Sequence, residues 1–157
     1  MNGNIAMSQS LVQIYLHLVF STKNREPFLK EPDLRAQMHA YLGGVCRNLE
    51  CPALIVGGAD DHVHILCRYS QNITLANLFR DLKRSSSLWI KEQAAKYRGF
   101  YWQRGYGAFS ISPAHIRNLT TYIQNQETHH RKISFQEEFR KLCRKYGIEI
   151  DERYVWD

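Results

Sequence analysis

The chain has 157 residues, the length of one domain, and its 44% hydrophobic and 23% charged residues give a globular balance that excludes a disordered chain. No apolar run reaches the roughly 18–20 residues of a membrane-spanning helix, so a transmembrane segment is not expected. Twenty-one Lys and Arg against 15 Asp and Glu leave a net charge of +6, which suits a polyanionic partner.

Residues 1–157 read as a single domain, with residues 1–10 (MNGNIAMSQS) as a disordered leader and Met7 as a second candidate start. The leader has neither the basic start nor the apolar stretch of a secretory signal. The four cysteines, Cys46, Cys51, Cys67 and Cys143, form no C-x-x-C pair. They read as buried thiols of a reducing cytoplasm rather than as a disulfide framework or a zinc site.

Residues 13–21 (QIYLHLVFS) are rich in β-branched and aromatic side chains and predict a strand. A polar loop broken by Pro27 and Pro32 leads into a helix over 33–49, with Leu34, Met38, Tyr41, Leu42, Val45 and Leu49 on one face. A short strand over 53–56 ends at Gly57-Gly58, and a second spans 61–69 (DHVHILCRY). A helix over 74–93 buries Leu75, Leu78, Phe79, Leu82 and Trp89. The aromatic stretch 100–112, punctuated by Gly105 and Gly107, predicts a hairpin or two short strands.

Ser112 and Pro113 open the next helix, which runs through 126. Ser134-Phe135-Gln136-Glu137 has the capping-box pattern of a last helix, which Gly147 stops. Phe135, Phe139, Leu142 and Tyr146 form its apolar side. The order of elements predicts an α+β fold, an antiparallel sheet covered by helices.

Two patterns carry chemistry. His62 and His64 lie two apart on a strand, so both imidazoles leave one face and can form half of a metal site. By itself H-x-H fits a polar strand face equally well. Tyr122 and Gln126 lie four apart on the helix over 112–126, on one face about a turn apart. A phenol is a nucleophile once deprotonated, and an amide oxygen can complete a metal shell. A half-buried tyrosine beside a polar neighbour fits this spacing too. His129 and His130 read as helix-end residues rather than ligands, and His17 and His115 are weaker candidates.

Basic residues concentrate over 80–104, where Arg80, Lys83, Arg84, Lys91, Lys96, Arg98 and Arg104 stand against Asp81 and Glu92. Lys23, Asn24 and Arg25 add a smaller cluster. Such side chains track phosphates, and interleaved aromatic rings can stack on unpaired bases.

DHVHI, followed far downstream by YIQNQETHH, together with HLVFSTKNR near the start and SFQEEF and DERYVWD near the end, resembles the HUH-type single-tyrosine transposases. These are the TnpA-type enzymes of the insertion-sequence-200-like family. The resemblance implies a ferredoxin- or RRM-like HUH fold, with His62 and His64 as metal ligands, Gln126 as the third ligand and Tyr122 as the nucleophile. Asp61 matches the acid that often precedes the histidine pair and supports the metal site. It further implies Mg²⁺ or Mn²⁺ as cofactor, no nucleotide cofactor, and single-stranded DNA with hairpin ends as partner. Also implied is a homodimer, in which the tyrosine helix of one subunit can reach the histidines of the other and Gly105 and Gly107 serve as hinges. The reaction implied is cleavage and rejoining of single-stranded DNA through a 5′-phosphotyrosine. Lys23, Arg25, Arg80, Lys83, Arg84 and Arg104 are the candidate DNA contacts.

Two other readings of the same residues stand beside it. One is a non-catalytic module, a domesticated relative that grips single-stranded nucleic acid without cutting it. The other is a small metal hydrolase acting on a different phosphoester.

Overall fold

The structure, a computed structural model, describes residues 8–157. Residues 8–14 carry no helix or strand, and the remainder of the expected leader, residues 1–7, lies outside the described residues. The elements run β1 (Tyr15–Ser21), α1 (Pro32–Asn48), β2 (Ala53–Gly58), β3 (His62–Arg68), α2 (Leu75–Lys91), β4 (Gly107–Ile111), α3 (Ile116–Gln124), α4 (Gln126–His129) and α5 (Phe135–Lys145). The strands form one antiparallel sheet in the order β2-β3-β1-β4. A βαββαβ run with this order is the ferredoxin-like arrangement, as the α+β reading expects.

Strand alternation assigns the two faces. Leu16, Leu18, Phe20, Val63, Ile65 and Cys67 point toward α1 and α2, where they form the main core with Met38, Leu42, Leu78, Phe79, Leu82 and Ile90. Thr74 caps α2 by accepting the Asn77 N–H at 3.1 Å. His17, Val19, His62 and His64 have the opposite parity, and Val19 packs there with Phe109, Phe135 and Cys143. The sheet is thus covered on both sides, and β3 is buried along its length except at Arg68. The four cysteines are buried and unpaired with one another. Among the described residues no helix is long and apolar enough to cross a membrane.

Of the hairpin or two short strands expected over 100–112, one strand forms. Only Gly107–Ile111 joins the sheet, and Trp102 contributes a single bridge to Thr22. Phe100 and Trp102 are drawn into the main core instead, Trp102 edge-on to Phe20 and donating its indole N–H to Ser86 at 2.9 Å. Lys83 secures the neighbouring loop by donating to the carbonyls of Gln103, Arg104 and Gly105 at 2.9, 3.1 and 2.8 Å. Burial lowers its ammonium to about 8.

The helix expected over 112–126 is also broken. It opens as a 3-10 turn, Pro113–His115, and is interrupted at Asn125, with α4 following. Ser112 Oγ meets His115 Nδ1 at 2.7 Å and caps no backbone N–H.

One row of residues crosses all four strands on the face opposite α1 and α2: Gly57, His64, Val19 and Gly107. Both ends of the row are glycines, and a helix docks at each. A Cβ on Gly57 would lie 2.6 Å from the backbone oxygen of Ile123 in α3. A Cβ on Gly107 would lie 2.7 Å from the Phe139 ring in α5. Bare backbone at these points lets both helices settle close to the sheet on either side of His64. β2 runs on through Gly58, past its expected end at Val56, and Gly107 is a packing position in this arrangement.

Gly57→Ala is therefore expected to destabilise the fold by about 1–3 kcal/mol, because the clash is with backbone that cannot rotate away. Thermal unfolding checks this, and an unchanged midpoint would contradict close docking of α3. A second expectation concerns His39 in α1, whose buried Nε2 has no hydrogen-bond partner. Burial, and then the Arg35 charge, lower its pKa from 6.5 to about 4. The folded value lies below the unfolded one, so the contribution to stability is complete above pH 6.5 and is lost as pH falls toward 4. His39→Gln should flatten the unfolding free energy over that window in denaturant titrations. An equally steep profile would show that other groups carry it.

Candidate active site

β3 delivers His62 and His64 to the α3–α5 side of the sheet, both fully buried. α3, docked at Gly57, places Tyr122 beside them, with its ring centroid 5.9 Å from that of His64. After the break at Asn125, Gln126 opens α4, buried, with its Oε1 2.8 Å from His62 Nε2. The structure thus brings together all four core residues singled out in the sequence, within one chain. The break changes the expected route, since Tyr122 and Gln126 do not share one continuous helix face. They converge because both turn toward a residue that sequence reasoning missed.

That residue is Glu138 of α5, 2% exposed. His64 Nε2 donates to its Oε1 at 2.9 Å, Gln126 Nε2 donates to its Oε2 at 2.9 Å, and the Tyr122 hydroxyl donates to Oε2. His130 Nε2 lies 3.1 Å and His62 Nε2 3.6 Å from Oε1. A signal for it existed. Phe135, Glu138, Phe139, Leu142 and Tyr146 follow helical spacing, so an acid stands inside the apolar stripe of α5. An acid so placed needs buried partners, and the histidines are those partners.

Each sheet histidine is held from behind. His62 Nδ1 donates to Asp61 at 2.7 Å. His64 Nδ1 pairs with Nε2 of buried His17 at 2.7 Å. Such outer partners fix ring orientation and proton position. His17, a weak candidate in the sequence, is the counterpart of Asp61 on the neighbouring strand. His129 and His130 stand at a helix end as expected, the C-terminus of α4, and from there they also close the site. The His129 ring sits 5.3 Å from Tyr122, and the His130 ring 4.2 Å from His62.

Burial would raise the Glu138 carboxyl, but the surrounding His130, His64 and His62 overrule it and hold it well below the usual carboxylate range. Tyr122 moves the opposite way. Burial raises its phenol first, and the adjacent Glu138 charge and hydrogen bond raise it further. Burial lowers His64 and, more strongly, His17, so both favour the neutral form. The site pairs an ionised carboxylate with a firmly protonated phenol.

The donor set fits a divalent cation. One ligand atom from each of His62, His64, His130 and Glu138 lies within 4.8 Å of the others. Donors around one ion at about 2.0–2.2 Å span at most about 4.4 Å, so closure needs shifts of tenths of an ångström. Two features call for positive charge. With His62 Nδ1 donating to Asp61, the Nε2 lone pair of a neutral ring faces Gln126 Oε1 at 2.8 Å. Flipping the amide would instead face its oxygen to Glu138 at 2.9 Å. Either way two acceptors meet, a conflict that a bound cation resolves and that a second proton on the His62 ring resolves equally. His130 Nε2, meanwhile, is buried and makes no aligned hydrogen bond.

Residues 10–126, most of the chain, match the family described as transposase IS200 like. The chain belongs to the IS200-like transposase family. A crystal structure of a Deinococcus radiodurans R1 protein assigned as a transposase is 18% identical, with a TM-score of 0.59, over 77% of this chain and 98% of that one. The structure of a REP-associated tyrosine transposase bound to a REP hairpin is 16% identical, with a TM-score of 0.57, over 79% of this chain and 74% of that one. At these identities the likeness concerns the fold. No curated protein matches the sequence. In this IS200-like chain α5 lies beyond the matched residues, so Glu138 comes from outside the segment that defines the family match.

The candidate DNA contacts are scattered. Arg80 and Arg84 are exposed on α2, and the sheet separates them from Tyr122. The three donors of Lys83 are engaged by loop carbonyls. Arg104 is exposed on that loop, and Lys23 lies 5.9 Å over the Tyr101 ring. Arg25 lies nearer the site, in the wall of a cavity of about 420 Å³ that it shares with Asp61 and His130, and it donates to the Trp156 carbonyl at 2.9 Å.

Calorimetric titration with Mn²⁺ tests the donor set. His62→Ala should abolish measurable binding, and Asp61→Asn should weaken it about 10–100-fold by loosening the His62 ring. Wild-type affinity in both variants would place the ion elsewhere.

Proposed function

We propose that this IS200-like family member is a metal-dependent transposase that cleaves and rejoins single-stranded DNA at the ends of an insertion element through a 5′-phosphotyrosine intermediate. The supporting observation is the convergence of Tyr122 with His62, His64 and Gln126 around one buried carboxylate. In this reading Tyr122 is the nucleophile, His62, His64 and Gln126 hold Mg²⁺ or Mn²⁺, and Asp61 orients His62. Glu138 and His130 offer two more donors to the same centre.

The bound cation would act as a Lewis acid at a non-bridging oxygen of the scissile phosphate and ease departure of the 3′ oxygen. The rest belongs to the chain. Tyr122 lies half-buried at the wall of a cleft that His129 and Glu138 also line, open to a strand entering from that side. Its proton is held toward Glu138, with His129 Nε2 3.4 Å away as a second acceptor. While the carboxylate charge stands uncompensated, the phenolate is disfavoured, so the nucleophile rests in its inactive form. With that charge offset, the phenol proton passes to His129 Nε2 and the tyrosine oxygen attacks phosphorus in line. An O–P bond forms, the P–O3′ bond breaks, and the departing 3′ oxygen takes up a proton. The reverse attack by a 3′-OH restores a phosphodiester, so rejoining needs no nucleotide cofactor.

Tyrosine and histidines meet within one chain, so each protomer of the proposed cytoplasmic homodimer carries its own complete site in this arrangement. Hairpin-ended single strands are the proposed substrate, in keeping with the hairpin bound by the second structural neighbour.

Labelled single strands from the flanking genome, incubated with Mn²⁺ and resolved by denaturing electrophoresis, test the proposal. Wild type should give a protein–DNA adduct. Tyr122→Phe should give none while binding the strand within about twofold of wild type, since only one hydroxyl is removed. An adduct that persists in Tyr122→Phe refutes the assignment of the nucleophile. Binding without any adduct in wild type favours the non-catalytic module.

A further inference from the structure

Beside Tyr122 a cleft of about 760 Å³ opens between the end of β4, α3 and α5. This volume lies in the range of sites that enclose small organic ligands. Its lining combines apolar and basic side chains. Leu119 of α3, with Leu142 and Tyr146 at the α5 side, presents apolar and aromatic surface. Lys141 and Lys145 line the α5 side as well, four residues apart and hence on one helix face.

Both lysines are exposed, and neither is paired with a carboxylate among the described residues. The one acid in the cleft wall, Glu138, is already engaged by His64, Gln126 and Tyr122. Free positive charge and apolar surface therefore share one cleft, and the cleft ends at the tyrosine oxygen.

A phosphodiester with an unpaired base has both properties: a charged backbone and a flat apolar face. Duplex DNA hides its bases in the stack and leaves the apolar wall unused. We propose that this cleft seats the unpaired nucleotides flanking the scissile phosphate, with Lys141 and Lys145 binding their backbone phosphates and Leu119, Leu142 and Tyr146 receiving a base. The proposal rests on the transposase reading above, and it assigns strand binding to a helix outside the family-matched residues, on the side of the sheet opposite Arg80 and Arg84.

The test uses the full chain carrying Tyr122→Phe, in EDTA, so that no cleavage intervenes. Fluorescence anisotropy follows a labelled 20-nucleotide single strand of mixed sequence across a salt series. Each phosphate neutralised on a single strand contributes about 0.7 to the slope of log affinity against log salt. Lys141→Gln with Lys145→Gln should weaken binding about tenfold at moderate salt and reduce that slope by about 1.4. Both lysines are exposed, so the fold should tolerate the change, which circular dichroism checks. Arg47→Gln, at the far end of α1, should leave affinity and slope unchanged. The proposal is overturned if the lysine double variant keeps the parent slope, if the Arg47 variant loses as much, or if a duplex of the same length shows the same loss. Adduct formation by the wild-type chain is read separately. A missing adduct with a reduced slope rejects the chemistry and keeps the cleft, and an adduct with an unchanged slope does the reverse.

Discussion

An ionised carboxylate shut away from water is the constraint around which this molecule is arranged. Glu138 is almost fully buried, and a charge so placed is tolerated only when its oxygens are hydrogen-bonded and its charge is answered locally. The answer comes from several elements at once: His64 from β3, Gln126 from α4, Tyr122 from α3 and His130 from the turn after α4. Removing any one leaves a lone pair or a proton unpaired in the interior. The cluster is therefore as much a lock between the sheet and its second helical layer as a place where chemistry can occur. It also explains the resting state of the tyrosine, because a phenol hydrogen-bonded to an anion has no tendency to ionise.

The lock closes only because the sheet lets two helices approach. Gly57 and Gly107 stand at opposite ends of the strand row that contains His64, and both lack the Cβ that would hold α3 and α5 away. α3 brings Tyr122 down at one end, and α5 brings Glu138 down at the other. Past the interruption at Asn125, Gln126 still faces inward, toward the same carboxylate as Tyr122. The family match spans residues 10–126, a segment that includes the sheet, the histidine pair and Tyr122. The segment after it completes the cluster.

Positive charge is divided by the same architecture. The basic residues of α2 lie on the side that α1 and α2 cover, whereas Lys141 and Lys145 face the cleft beside Tyr122. A net charge of +6 is thus not one patch but separate surfaces on the two sides of the sheet. Lys83, the central residue of the basic stretch, has turned inward to hold a loop. A count of charges along the chain cannot see such a difference.

Much was legible in the sequence, for reasons that are local. Strand alternation put His62 and His64 on one face, Ser134 announced the start of α5, and the order of elements gave the α+β class. These depend on neighbours within a few residues, where backbone geometry alone decides. The hairpin expected over 100–112 failed because Phe100 and Trp102 found a deeper place in the core than any strand pairing could offer. The unbroken helix over 112–126 failed because Tyr122 and Gln126 both had to meet Glu138. The role of Glu138, the recruitment of His17 and His130, and the cleft beside Tyr122 were settled only in three dimensions. Each depends on groups far apart in the chain whose burial makes them partners of one another; the acid in the apolar stripe of α5 shows locally that partners are needed, but not which ones.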